Sequence, residues 1–231
     1  MDTIPKIINS YRNQNSTIKK FTLYGERHSG TNVFEKFIKM NFDMEVTWDY
    51  DWKHFFGFTD IESIIKAKDT LFLCIVRDTY DWLLANHYMP HDAPRDREGV
   101  LYVNDWYSVS RTIEETEIMG DRCYWDKERY QNIFELRYFK LMYMLYVLPM
   151  LADNYLFISY NSFIKDQLFY LNYIHDTFNI EYLPRDFSSR KVGLYSPKKY
   201  TVSDKDLKHI NDNVYWKIEN ECGFFKKDHY P

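Results

Sequence analysis

Between Gly25 and Asn32 the chain reads Gly-Glu-Arg-His-Ser-Gly-Thr-Asn, with its two glycines five positions apart. Set between a strand and a helix, such a segment aims main-chain amides and the positive end of the helix dipole at an anion. Nucleotide-triphosphate loops share this glycine spacing but need Lys-Ser or Lys-Thr after the second glycine, where this chain has Thr31 and Asn32. The lysine that grips the terminal phosphates of ATP is therefore missing, and Val76-Arg77 stands where many such enzymes carry a magnesium-binding aspartate. Arg27 and His28 supply positive charge instead, and Ser29 and Thr31 supply hydroxyl donors. The expected chemistry is capture of an anionic group without a divalent cation.

Two further positions carry chemistry. Arg77 directly follows the apolar run Leu71–Val76 (LFLCIV) and precedes a helical pattern, so it emerges at the carboxyl edge of a sheet, a ligand-facing address. His54, in Asp51-Trp52-Lys53-His54-Phe55-Phe56, follows a short presumed strand and is the candidate base, because imidazole titrates near neutrality. Arg190-Lys191-Val192-Gly193 offers two cations and a glycine that lets the backbone approach an anion. His87, His91 and Asp92 suggest metal ligands, but Pro90 interrupts the helical spacing they would need, so no metal is expected. Arg137 and Lys140 read as surface cations of a helix.

Strands are expected over 18–24, 45–48, 71–76 and 154–160, alternating with helices over 31–42, 60–68, 79–88, 105–119, 128–151, 161–178 and 203–221. Asp60 and Ser203 stand as helix caps, and Gly223 lies just past the final helix. This alternation implies an α/β fold, a parallel sheet flanked by helices in three layers. A single domain over 1–231 is expected, with a polar lead-in over 1–17 and a long irregular excursion over 89–130 of the kind that covers active sites.

Of the 231 residues, 45% are hydrophobic and 28% charged, enough for a sizeable core with a solvated surface. A net charge of −4 excludes general nucleic-acid binding yet allows a local basic pocket. Cys74, Cys123 and Cys222 form no disulfide or metal-binding spacing. No leader segment or membrane-length apolar run is visible, so a cytoplasmic, soluble protein in a reducing compartment is expected.

On these motifs the chain resembles the sulfotransferases that use 3′-phosphoadenosine 5′-phosphosulfate (PAPS), whose phosphosulfate loop has Lys or Arg followed by Ser-Gly-Thr-Thr. His28-Ser29-Gly30-Thr31-Asn32 matches it, with His28 at the cationic position and Asn32 in place of the second threonine. The loop is most similar to that of a branch reading Gly-Glu-Arg-x-Ser-Gly-Thr-Asn. The resemblance implies a P-loop NTPase-like sulfotransferase fold and metal-independent transfer of a sulfuryl group from PAPS to a hydroxyl or amine of a small-molecule or glycan acceptor, with adenosine 3′,5′-bisphosphate as product. Gly25, Arg27, His28, Ser29, Gly30, Thr31 and Asn32 would hold the phosphosulfate. Arg77, Arg190, Lys191 and Gly193 would hold the 3′-phosphate, Tyr160 would lie near adenine, Lys53 would help hold the sulfate or position the loop, and His54 would deprotonate the acceptor. The family serine two turns after Arg77 falls near Ala85, so either Asn86 donates its amide in its place or the basic residues of the C-terminal loop carry more of the load. A divergent magnesium-dependent kinase and an inactive nucleotide-binding module are the rival readings.

Overall fold

The computed structural model describes residues 6–88, 122–128, 130, 132–184, 186, 190–193 and 201–230. The helix expected over 105–119, most of the 89–130 excursion and His91 lie outside the described residues.

Five strands form one sheet: β1 (Ile7–Arg12), β2 (Lys20–Tyr24), β3 (Glu45–Val46), β4 (Thr70–Val76) and β5 (Asn154–Ser159), in the order β1-β5-β4-β2-β3. Parallel pairing joins β3, β2, β4 and β5, while β1 runs antiparallel along β5. The polar lead-in expected over 1–17 is thus corrected in part, because Ile7–Arg12 is the edge strand. Its residues are only partly buried, so no continuous apolar run announces it.

The central strands are buried along almost their whole length and mostly apolar because both faces are covered. Leu71, Leu73 and Ile75 of β4 join the core beneath α1 (Thr31–Asn41) and α7 (Gln167–Phe178). Phe72, Cys74 and Val76 face the opposite core, with Ile64 of α2 (Ile61–Lys66), Leu141 of α4 (Ile133–Met142) and Leu148 of α5 (Leu148–Leu151). Between α4 and α5 one π-helical stretch, Tyr143–Val147, interrupts the single long helix expected there. A third cluster packs α3 (Thr79–Tyr88) against α4 and α8 (Asp204–Asn213). The structure is a mixed α/β fold, a mostly parallel sheet flanked by helices.

Other expected helices are divided by local chemistry. The span 161–178 becomes α6 (Tyr160–Phe163) and α7, and Asp166 caps α7 by accepting the Phe169 amide at 3.2 Å. The span 203–221 becomes α8 and α9 (Trp216–Glu221), with extended backbone at Val214 between them. Asp60 and Ser203 cap α2 and α8 as their sequence positions imply, each accepting the amide three residues on.

Strand order decides where a ligand fits. From β2 the chain passes to β3 on one side, and from β3 it returns to β4 on the other, so the connections diverge between β2 and β4. A crevice opens outside the carboxyl ends of strands at such a reversal. The segment after β2 and Arg77 after β4 both stand at this edge.

Candidate active site

The 25–30 turn is shaped by close contacts. The Gly25 amide donates to the Lys53 carbonyl at 3.0 Å, and a side chain at position 25 would lie 2.6 Å from the Ile75 carbonyl oxygen of β4. Ser29 turns the chain by donating both its amide (3.1 Å) and its hydroxyl (2.5 Å) to the Glu26 carbonyl. His28 adopts φ 64°, and Gly30 adopts φ 91° as the N-cap of α1. The Tyr160 ring lies so close to Gly30 that a Cβ there would sit 2.1 Å from Cδ2. The amides of Gly30, Thr31 and Asn32 precede the first complete turn of α1 and have no intrahelical carbonyl to bond, which makes the end of this helix an anion-accepting cup.

Neighbouring segments converge on this cup. Arg77 donates Nη1 to the His28 carbonyl at 3.3 Å, its guanidinium lies 5.8 Å from the Tyr160 ring centre, and its Nε is buried without a hydrogen-bond partner. Lys53 Nζ bonds Asn32 Oδ1 at 2.7 Å and Glu35 Oε2 at 3.0 Å, at the opening of α1. The guanidinium carbon of Arg27 sits 5.5 Å from the Trp52 ring centre, and the Trp82 indole N–H donates to the Arg27 carbonyl at 2.8 Å. Asn161 stitches two strand ends together: its Oδ1 accepts the Asp78 amide at 2.8 Å, and its Nδ2 donates to Asp81 Oδ2 at 3.1 Å.

His54 is 8% exposed, and its Nδ1 lies 2.7 Å from the Gly25 carbonyl oxygen. A carbonyl only accepts, so Nδ1 carries the proton and Nε2 keeps its lone pair. Burial, together with the positive charges of Arg27, Lys140 and Lys53, pushes the imidazole down to about 3. It is neutral throughout the physiological range.

Beneath the cup lies a buried ion cluster. Arg137 donates Nη1 to Glu26 at 2.8 Å, Nε and Nη2 to the two carboxylate oxygens of Glu219 at 2.8 and 2.9 Å, and Nη2 also to the Arg77 carbonyl at 2.9 Å. Arg137 is 3% exposed, and Glu26 and Glu219 are each 1% exposed. Lys140 is also buried and donates to the His54 carbonyl at 2.7 Å. The expectation of surface cations at Arg137 and Lys140 is therefore overturned, because their helix is covered by the loop after β2 on one side and by α9 on the other. Glu26, which the motif reading left without a role, supplies the missing signal. A carboxylate inside an anion-binding turn is admissible only with a cation beneath it.

Not every expected residue reaches the cup. Asn86 is buried on α3 and gives its amide to the Trp82 carbonyl at 2.9 Å, a bond within its own helix. The Arg190 carbonyl accepts from Asn41 Nδ2 at 2.9 Å, at the last residue of α1, whose eleven residues separate it from the cup by roughly 16 Å. The Arg190 side chain donates to the Leu183 carbonyl at 3.0 Å and packs over Tyr182, and Gln167 holds Val192 through both main-chain groups. Lys191 and Gly193 are exposed beside them. The 190–193 segment stands at the far end of α1, so the anticipated juxtaposition with Arg77 is not made here. Among the described residues, no group of three or more His, Cys, Asp or Glu side chains is placed to hold a metal ion, and no helix is long and apolar enough to cross a membrane.

Two outcomes follow from this geometry. Arg137→Met leaves two buried carboxylates without the guanidinium that bonds them both and is expected to destabilise the fold by about 3–5 kcal/mol in urea melts. Glu26→Gln, which keeps the Arg137–Glu219 pair, is expected to cost less than about 1.5 kcal/mol. Burial raises Glu26 to about 7, so the native state holds a proton that the unfolded chain releases near 4.5. Relative to Glu26→Gln, the wild type therefore loses stability as pH rises across that window and runs parallel to it above. Separately, Gly30→Ala combines a left-handed backbone with the Tyr160 clash, and we expect a loss of about 1–3 kcal/mol, read as a lower denaturation midpoint.

Comparison of the chain with protein-family models, with curated proteins and with solved structures finds no match.

Proposed function

We propose that this protein is a PAPS-dependent sulfotransferase with a P-loop-like phosphosulfate site, acting on the hydroxyl of a carbohydrate or other small acceptor. The observation that carries this reading is the convergence of a lysine-free amide cup, Arg77 and the Lys53–His54 pair at the reversal of strand order.

The cup fits the cofactor's anionic end. Helix amides and Arg27 border it, Ser29 shapes the turn with both of its donors committed to the Glu26 carbonyl, and the orphaned Arg77 Nε is one buried donor available to a second phosphate. A sulfuryl group carries less charge than a terminal phosphoryl group, so this donor set needs no divalent ion. In the arrangement described here Arg77 carries the 3′-phosphate without help from the 190–193 segment, and Tyr160, packed on Gly30, lines the adjacent wall.

The acceptor hydroxyl is deprotonated by His54. Its Nδ1–H is anchored on Gly25, so the ring is held with Nε2 as the accepting atom. Burial is the main influence lowering His54, and an anion in the cup offsets the smaller part that comes from the nearby cations. Lys53 and the cup amides meet the negative charge that develops on the leaving phosphate oxygen, with no reorganisation of the site. Trp48 and Trp52, 39% and 47% exposed, flank Lys53 and His54 and offer flat apolar faces to a sugar ring.

Adenosine 3′,5′-bisphosphate at about 100 times its dissociation constant is expected to stabilise the protein by about 2.7 kcal/mol with EDTA present, whereas ATP with magnesium gives no comparable shift. The reverse order in a thermal-shift assay would establish a kinase instead. With radiolabelled PAPS and a panel of sugars and phenols, His54→Asn is expected to lower kcat by about 10²–10⁴-fold. The wild-type kcat/KM should show no acidic limb near pH 6.5, because His54 in the free protein protonates only near pH 3. A limb near 6.5 that disappears in His54→Asn would refute the buried, neutral imidazole, and turnover with none of the acceptors would favour an inactive binding module.

A further inference from the structure

Below the cup, three ionisable side chains from three elements share two negative charges and one positive charge. Glu26 comes from the loop after β2, Arg137 from α4 and Glu219 from α9. The guanidinium is distributed unequally. Glu219 receives two of its N–H groups and the Thr79 hydroxyl at 2.7 Å, whereas Glu26 receives one through Oε2. Glu26 Oε1 is buried and has no hydrogen-bond partner. An ionised carboxylate held in this way is poorly satisfied, and a protonated one is not.

The main chain of Glu26 belongs to the cup itself, since its carbonyl receives Ser29. An anion entering the cup therefore adds negative charge above two carboxylates that share one hydrogen-bonded guanidinium, with Lys140 acting on Glu26 only through space. At an effective dielectric constant near 20, a unit charge about 10 Å away shifts a protonation equilibrium by roughly tenfold or somewhat more.

We propose that Glu26 is the proton acceptor for anion capture: as a phosphate- or sulfate-bearing ligand enters the cup, one proton from solvent is taken up by Glu26, leaving Arg137 and Glu219 as a neutral pair. The inference rests on the reading of the cup as an anion site, and it holds whatever reaction follows. Glu26 is a positioning residue. It touches no ligand, and it fixes the loop through Arg137, which also binds the carbonyl of Arg77. Protonation removes the repulsion while Oε2 keeps accepting from Arg137, so the loop need not move.

The groups facing this carboxylate set the sign. Arg137 and Lys140 of α4 favour its ionised form, whereas burial, which is the largest influence, and Glu219 of α9 favour the neutral one. Cys222, just beyond α9, is held as a neutral thiol, with burial first among the causes. The adjoining part of α3 contributes the neutral Trp82 and Thr79. Without ligand the balance leaves Glu26 near 7, so at slightly alkaline pH it is mostly ionised and able to take up a proton.

The test is calorimetric titration of the full chain with adenosine 3′,5′-bisphosphate at about pH 7.5 in two buffers of different ionisation enthalpy, for the wild type and Glu26→Gln. The ligand's own titration is common to both proteins. The wild type is expected to take up more protons than the variant, by up to about one per molecule. Its affinity should also fall with rising pH relative to the variant, by at most about tenfold per unit. Infrared difference spectra of the wild type alone, with and without ligand, supply a readout independent of the variant's folding: a protonated carboxyl band should appear on binding. Equal proton numbers in two proteins that both bind, or a wild-type complex without that band, overturns the inference and leaves the cofactor reading intact. Absence of binding at every pH overturns both.

Discussion

One guanidinium holds this site together. Arg137 reaches the loop after β2 through Glu26, the end of β4 through the Arg77 carbonyl and the last helix through Glu219. Its rigid fork of donors allows one residue to fix three segments in a defined relation, which a flexible ammonium would do less well. Burial of three ionisable groups is costly, and the cluster persists because each is hydrogen-bonded, Glu26 least completely. Trp82 reinforces the junction, since its ring lies 4.8 Å from the Arg137 guanidinium carbon while its N–H holds the Arg27 carbonyl. The shape of the cup is thus set largely from below.

Above that foundation the charges are of opposite kind. Arg27, Lys53 and Arg77 stand about the cup in a chain whose formal net charge is −4. The negative overall balance discourages indiscriminate association with polyanions, while the local field and the helix amides favour one small anion. Backbone geometry cooperates with charge. The close approach of Gly25 to β4 and of Tyr160 to Gly30 draws three strand ends together, and Asn161 locks β5 to the start of α3. His54, anchored through Nδ1, and Lys53, clipped to the first turn of α1, add no flexible element beside the cup.

Motif order and spatial order part at the segment 190–193. Arg190-Lys191-Val192-Gly193 follows the other motifs along the chain, yet its main chain is engaged by Asn41 and Gln167 at the far end of α1. Arg77 reaches the cup because β4 neighbours β2 in the sheet, a relation of topology that no short motif encodes.

The sequence by itself determined the alternation of strands and helices, the doubly covered central strand Leu71–Val76, the caps at Asp60 and Ser203, and the placing of Gly25–Asn32 between a strand and a helix. These are legible because periodicity, capping and glycine spacing are local: each depends on residues within a turn or two of one another. Tertiary structure alone decided that Ile7–Arg12 closes the sheet edge, that Arg137 and Lys140 are buried, and that Glu26 shares its guanidinium with Glu219. Partners 111 and 82 residues from Arg137 leave no periodic trace. A charged side chain reads as solvated until the fold brings its counter-charge to it, because the cost of burying an ion and the means of offsetting it lie on different parts of the chain.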